Sequence, residues 1–290
     1  MSKIWKSILL VFILLLANNA WGQSRYALLI GIGDYPEDSG WHRIHGNNDI
    51  SIIKPTLIYQ GFSEESIIQL LDSTATKNNI LKAFDDLAGR LQSGDVAYIH
   101  FSGHGQQVTD LNGDEEDGFD EAWIPYDAKK KYEAGVYEGH NHLTDDELNE
   151  IFTCLRVRVG ARGKIIVIAD ACHSGSGSRG QSDDEVFVRG TGDKFILPRQ
   201  TSNIIKKPEP TEWLFVAACK PYQSNYEYRT PDGDYYGVLS YIIANEQKQF
   251  DICKYSELLL EWSKSVSEKS RYPQDLDADG QPCRRSSFMF

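Results

Sequence analysis

The sequence predicts one α/β domain in which helices cover both faces of a mostly parallel sheet. Three observations carry that prediction. Short apolar runs recur at Tyr26–Ile32, Ser66–Leu71, Val96–Phe101, Ile165–Ala169 and Trp213–Ala218, and unbroken apolarity over such lengths marks strands buried on both faces. Helical patterns alternate with these runs, which is the signature of a layered α/β sandwich. Two of the runs end in polar, glycine-flanked strings, DVAYIHFSGHG from Asp95 to Gly105 and GKIIVIADACHSG from Gly163 to Gly175. In an open parallel sheet, residues just beyond the carboxyl ends of the strands line the ligand crevice.

Taken in order, residues 1–22 stand apart. Lys3 and Lys6 precede an apolar run from Ile8 to Ala17 and a small-residue exit at Ala20-Trp21-Gly22, the layout of a secretory signal whose core is too short for a comfortable membrane span. The mature chain is therefore expected to start near Gln23, to be exported to the periplasm, cell surface or medium, and to have no membrane partner once the leader is removed.

The first strand should give way to a helix over about Asn47–Tyr59. Another follows over Lys77–Leu91, with Ile80, Leu81, Phe84, Leu87 and Leu91 on one face. Thr144-Asp145-Asp146-Glu147 reads as a capping box before a helix through Phe152. Further helices are expected over Gly237–Asn245 and Tyr255–Ser267. Segments 106–141, 173–211 and 271–284 fit neither pattern and read as long loops, functional or disordered.

The chain has 290 residues, 41% hydrophobic and 25% charged, with a net charge of −12. Loss of Lys3 and Lys6 with the leader takes −12 to −14, which argues against nucleic-acid partners and suits basic substrates or divalent cations. The five cysteines form no metal knuckle or redox pair by spacing. GIGDYP after the first strand lacks the third glycine of a dinucleotide fingerprint.

What remains is a thiol beside an imidazole. A free cysteine is weakly ionised at neutral pH and needs a nearby base. His104 is that base in preference to His173, whose side chain should point away from that of its neighbour Cys172. The amides of Gly105 and Cys172 are placed to form an oxyanion hole. The residues read as a thiol acyl-transfer enzyme, with hydrolysis the simplest outcome.

The strings HFSGHGQ, DLNGDEEDGFDEAWIPYD and DACHSGSGSRG together resemble the metacaspase branch of the caspase-like cysteine peptidases, a group that also has clostripain-like and gingipain-like relatives. The likeness extends from YALLIGIGDY (26–35) to YGVLSYII (236–243). It implies a caspase-type three-layer α/β/α sandwich over residues 23–290, with a larger part at about 23–175, a loop at 173–211 and a smaller part at about 212–290. By resemblance, His104 and Cys172 form the catalytic dyad and hydrolyse peptide bonds through a thioester.

The resemblance further implies acidic residues that select Arg or Lys at P1. Asp170 shares a strand face with Cys172 by alternation, Asp49 in GNNDI matches the second acid, and Ser102 lines the same pocket; a bidentate clamp favours Arg. The chemistry requires no cofactor. Calcium enters as a possible activator through Asp120, Asp145 and Asp146, with Arg179 standing where the family has a further aspartate. DLDADG (275–280) opens like a calcium loop but lacks its closing glutamate. Basic residues in 173–211, Arg189 among them, make self-processing in that loop an expectation, with no particular bond singled out. Partners are peptides or proteins with a basic P1, and oligomeric state is left open. The competing reading is a catalytically silent caspase-like scaffold that binds a protein or calcium.

Overall fold

A computed structural model describes residues 23–173, 186–198, 212–245 and 255–280. The leader expected over 1–22, Arg179, and much of the 173–211 loop lie outside the described residues. A six-stranded sheet runs in the order β11-β8-β7-β3-β1-β2, built from β1 (Arg25–Gly31), β2 (Ile67–Leu71), β3 (Val96–Ser102), β7 (Lys164–Asp170), β8 (Leu214–Ala217) and β11 (Asp277–Gly280). All of its pairings are parallel except β11 with β8.

Strand alternation sorts the core into two halves. Leu28, Ile30, Ile99, Ile165 and Val167 face one way, toward α2 (Lys77–Arg90) and α3 (Asp145–Val159). Ala27, Leu29, Tyr98, Ile166 and Ile168 face the other, toward α1 (Gly46–Tyr59), α4 (Val238–Asn245) and α5 (Tyr255–Lys269). The result is the expected three-layer α/β/α sandwich, with helices on both sheet faces as parallel crossovers require. Among the described residues, no helix is long and apolar enough to cross a membrane.

Local chemistry explains the helix starts. Thr144 accepts from the Glu147 amide while Glu147 accepts from the Thr144 amide, so the expected capping box is formed. Asp145, Asp146 and Glu147 sit in the first turn of α3 and Arg156 and Arg158 in its last, matching the helix dipole. The helix runs seven residues beyond its expected end at Phe152, because Leu155 and Val159 continue the buried face.

Two loop expectations are corrected, over 106–141 and 271–284, and one hairpin was not foreseen. Segment 106–141 is not a plain loop: β4 (Gly105–Thr109) and β5 (Phe119–Trp123) form an antiparallel pair, extended by β6 (Leu143–Thr144). A second hairpin, β9 (Glu227–Arg229) with β10 (Tyr235–Gly237), stands beside the main sheet. Segment 271–284 is not all loop either: within DLDADG, Asp277–Gly280 is the edge strand β11 paired to β8, with Asp277 in an ion pair with Lys220. Ladder hydrogen bonds to β8 hold this segment extended, a tertiary contribution that outweighs its weak strand propensity.

Candidate active site

The loops that carry His104 and Cys172 meet because their strands are neighbours. β3 and β7 pair with Ser102 opposite Asp170, so both strands stop at one level and the next residues leave on the same side of the sheet. The loops are in close approach: a Cβ on Gly105 would lie 2.6 Å from the carbonyl oxygen of Cys172.

The His104 ring is fully buried. It stacks on Trp41 at a centroid distance of 4.8 Å and meets the His42 ring edge-on at 4.6 Å. Its Nε2 lies 2.9 Å from the backbone carbonyl oxygen of His42. A carbonyl only accepts, so this contact assigns the proton to Nε2 and leaves Nδ1 as a lone pair. That Nδ1 is buried without a hydrogen-bond partner. Burial, then the neighbouring His42, hold the imidazole pKa well below its ordinary value, so the ring is neutral and ready to accept a proton. The Tyr35 hydroxyl accepts from the His104 amide at 3.0 Å and donates to the Ile124 carbonyl at 3.0 Å, fixing the loop.

Cys172 is buried, and its thiol donates to the Gln223 carbonyl at 2.8 Å. The adjacent Cys219 is a buried free thiol whose pKa is raised, first by its hydrogen bond with Cys172 and then by burial. His173, the rejected alternative base, is half-buried with a buried, unpartnered Nε2, and desolvation pushes its pKa down to about 4.

Asp49, Ser102 and Asp170 converge on one fully buried pocket. Gly46 makes the approach of α1 possible, since a Cβ there would stand 2.4 Å from the Ser102 carbonyl oxygen. Asp49 accepts from the Ser102 hydroxyl and from the Gly237 amide at 3.0 Å. Asp170 accepts from Asn225 Nδ2 at 2.7 Å, and from the Ser240 amide and hydroxyl at 2.8 and 2.7 Å.

The pocket already holds a guanidinium. Arg189 Nη1 is 2.5 Å from Asp49 Oδ2 and 3.5 Å from Asp170 Oδ1, while Nη2 is 3.0 Å from Glu227 Oε1, with every one of these side chains fully buried. Burial works to lower the arginine pKa, but the three carboxylates outweigh it and raise it. Burial also pushes the carboxylates up; Arg189 and the hydrogen bonds hold Asp170 and Glu227 below the usual range, whereas Asp49 stays raised. Glu227 is fixed further by His45, whose Nδ1 is 2.6 Å from Oε2.

Asp120 on β5 and Asp145 and Asp146 at the start of α3 come together in a second acidic group with Asp110 and Asp114. Carboxylate oxygens of Asp110, Asp114 and Asp120 lie within 4.8 Å of one another. Burial first, then repulsion from the other acids, pushes Asp120 up to about 7 and Asp145 up to about 8, and raises Asp146. Asp120 Oδ1 is buried with no hydrogen-bond partner. An oxygen-only donor set of this kind fits a hard divalent cation. A cavity of about 410 Å³ with Trp213 and Phe152 in its walls runs from Cys172 to this group.

A family model described as the caspase domain matches residues 24–288. The chain belongs to the caspase-domain family. Metacaspase-1 of Eremothecium gossypii is 36% identical over 162 residues, covering 53% of this chain and 32% of that protein. Metacaspase-1A of Aspergillus fumigatus is 38% identical over 160 residues, covering 52% and 35%. The chain thus spans about a third of the length of these curated relatives. A crystal structure of a Geobacter sulfurreducens protein superposes with a TM-score of 0.56 at 20% identity, over 89% of this chain and 94% of that one, a likeness of fold.

Within this caspase-domain chain, sequence reasoning missed Glu227, His42 and the seat of Arg189. Glu227 lies on a hairpin strand of mixed polarity with no motif around it, and the carbonyl of His42 acts through its backbone, which carries no residue signature. Asp110 and Asp114 were visible in the acidic string at 110–121, but nothing local assigns them to the same group as Asp145 and Asp146.

Proposed function

We propose that the protein is an exported cysteine endopeptidase that cleaves peptide bonds after Arg, and more slowly after Lys. The observation that carries this reading is the buried pocket of Asp49, Asp170 and Glu227, built around a guanidinium. Several carboxylates spread around a planar fork suit arginine better than the point charge of lysine.

In this mechanism Nδ1 of neutral His104 takes the Cys172 proton and the thiolate attacks the P1 carbonyl carbon. The Cys172 and Gly105 amides stabilise the oxyanion. Collapse breaks the C–N bond, and the leaving amine takes the proton from His104. Water then attacks the thioester with His104 again as base, releasing the carboxylate product and restoring the thiol. The His42 carbonyl holds the ring in one tautomer throughout, as an orienting group does in other nucleophile-base pairs. A divalent cation such as calcium, held by Asp120, Asp145 and Asp146 with Asp110 and Asp114, would neutralise the second acidic group at the far end of the cavity and activate the enzyme by ordering that wall. Residues 1–22 direct export.

The test is hydrolysis of matched peptides with Arg, Lys or Asp at P1 by the purified protein and by Cys172→Ala, with calcium and with chelator. Cleavage after Arg that falls by on the order of 10³-fold or more in the variant is expected. Cleavage after Asp, or undiminished activity in Cys172→Ala, would overturn the reading; the latter outcome would favour the scaffold.

A further inference from the structure

His100 opens the string HFSGHG, yet the chemistry draws only on its Ser102 and His104. It lies two residues before Ser102 on β3, and so shares a sheet face with Ser102 and Asp170, one row deeper in the sheet. Across that row its neighbours are Leu29 on β1 and Ile168 on β7, with Val216 beyond on β8. The ring is fully buried. An imidazole in such a row costs stability relative to an aliphatic side chain unless both ring nitrogens are satisfied.

Both are satisfied, and they link the core to the acidic pocket. Nδ1 lies 3.1 Å from the Tyr98 hydroxyl and Nε2 lies 3.0 Å from Ser240 Oγ. Ser240 Oγ in turn donates to Asp170 Oδ2 at 2.7 Å, beside the Ser240 amide at 2.8 Å. The far end sets the direction of every proton. An ionised carboxylate only accepts, so the one hydroxyl proton of Ser240 is committed to Asp170 and its oxygen is left to accept. The ring proton therefore sits on Nε2, and Nδ1 accepts from Tyr98. Burial pushes His100 down to about 4 against the opposing pull of the Asp170 charge, so the ring is neutral, as this arrangement requires. The other carboxylate oxygen is held from a different side: Oδ1 accepts from Asn225 Nδ2 at 2.7 Å, and Asn225 Oδ1 accepts from Gln274 Nε2 at 3.0 Å. Anchors on both oxygens fix the plane of the carboxylate. A planar guanidinium fork depends on that plane, whereas the point charge of a lysine ammonium does not.

We propose that His100 is a positioning residue for P1 recognition: through Ser240 it holds Asp170 Oδ2 in place, and so sets the preference for arginine over lysine. This rests on the peptidase reading above and deepens it, because it assigns the discrimination between the two basic side chains to a residue that touches neither. No proton is transferred along the relay; its work is to keep each hydrogen bond pointing one way.

Two measurements test this on the full chain. The first is the ratio of kcat/KM for two peptides that differ only in Arg or Lys at P1, a quantity that does not change with the fraction of folded enzyme. His100→Phe should lower that ratio by about tenfold, the scale of a withdrawn hydrogen bond to a charged group. His100→Gln, which keeps an N–H toward Ser240, should recover most of the loss. Ser240→Ala alters little volume, so it carries the test if His100→Phe does not fold, and should lower the ratio in the same direction. The double variant should be no worse than the worse single one, because both cut the same relay. The second measurement needs no activity: NMR of the histidine ring nitrogens, with His100 assigned by its absence from His100→Gln, should place the ring proton on Nε2. Equal losses against both peptides, with the ratio unchanged, would reduce His100 to a structural residue while leaving the peptidase reading intact. A proton on Nδ1 would overturn the relay whatever the activity. An Nε2 proton in a protein that cleaves neither peptide would keep the relay and sink the peptidase reading.

Discussion

Two groups of carboxylates sit at the carboxyl end of the same sheet, and they behave differently. In the pocket of Asp49, Asp170 and Glu227 a cation from the chain itself is in place, and Asp170 and Glu227 are held below the usual carboxylate range while Asp49 alone stays raised. In the group around Asp120, Asp145 and Asp146 the acids face one another, and Asp120 and Asp145 are pushed up to about 7 and 8. Burial raises the pKa in both places, so burial is not what separates them. The difference is the presence of a fixed positive charge, which makes the first group a completed site and the second a site that gains by acquiring a cation.

Substitutions with opposite signs would break or sharpen this contrast. The largest effect is expected for Asp170→Asn, which leaves Arg189 buried beside a diminished set of partners; breaking a buried ion pair in this way should lower unfolding free energy by about 3 to 5 kcal/mol in denaturant titration. A neutral effect would mean that the pocket is not an ion-paired unit. Next comes the cation itself: calcium should raise the Tm of the wild type by several degrees and of Asp120→Asn/Asp145→Asn by little, because only a ligand that binds the folded state stabilises it. Equal shifts in both proteins would detach calcium from this group. Smaller again, Asp145→Asn in chelator should stabilise the chain by on the order of 1 kcal/mol, since it removes a carboxylate from a self-repelling cluster, where Asp170→Asn destabilises.

A further effect is confined to acid pH. Burial first, and Lys77 with it, pushes His142 down to about 3, against about 6.5 in the unfolded chain. Below the unfolded value the unfolded chain binds the extra proton, so this residue erodes stability as pH falls from about 6.5 toward 3, and contributes nothing to the slope above that window. Replacement His142→Gln should flatten the acid limb of Tm against pH by one proton's worth over that range. An unchanged slope would show that His142 does not contribute to it.

The sequence made one of the two carboxylate groups far easier to read than the other. Asp170 follows from alternation along an apolar strand that ends abruptly in alanine and cysteine, because strand termini in a parallel sheet fix where side chains emerge; Ser102 came from resemblance. Asp49, which came from resemblance, lies in the first turn of α1 and yet faces the pocket. Glu227 and Arg189 were out of reach, since their meeting depends on a hairpin and a loop brought together only by the tertiary fold. The same limit hid β4, β5, β9 and β10: their residues are polar or mixed, and cross-strand pairing rather than composition makes them strands. β11 is the plainest case, an Asp-Ala-Asp-Gly stretch extended by its neighbour.

The setting of the His104 ring draws on distant parts of the chain: Tyr35, Trp41 and the His42 carbonyl from the segment after β1, and Ile124 after β5, held by the Tyr35 hydroxyl. No short stretch of polypeptide contains that arrangement. A nascent or partly unfolded chain therefore lacks an oriented imidazole, and the reactive pair comes into being only at the last stage of assembly, after synthesis has delivered both halves of the sheet.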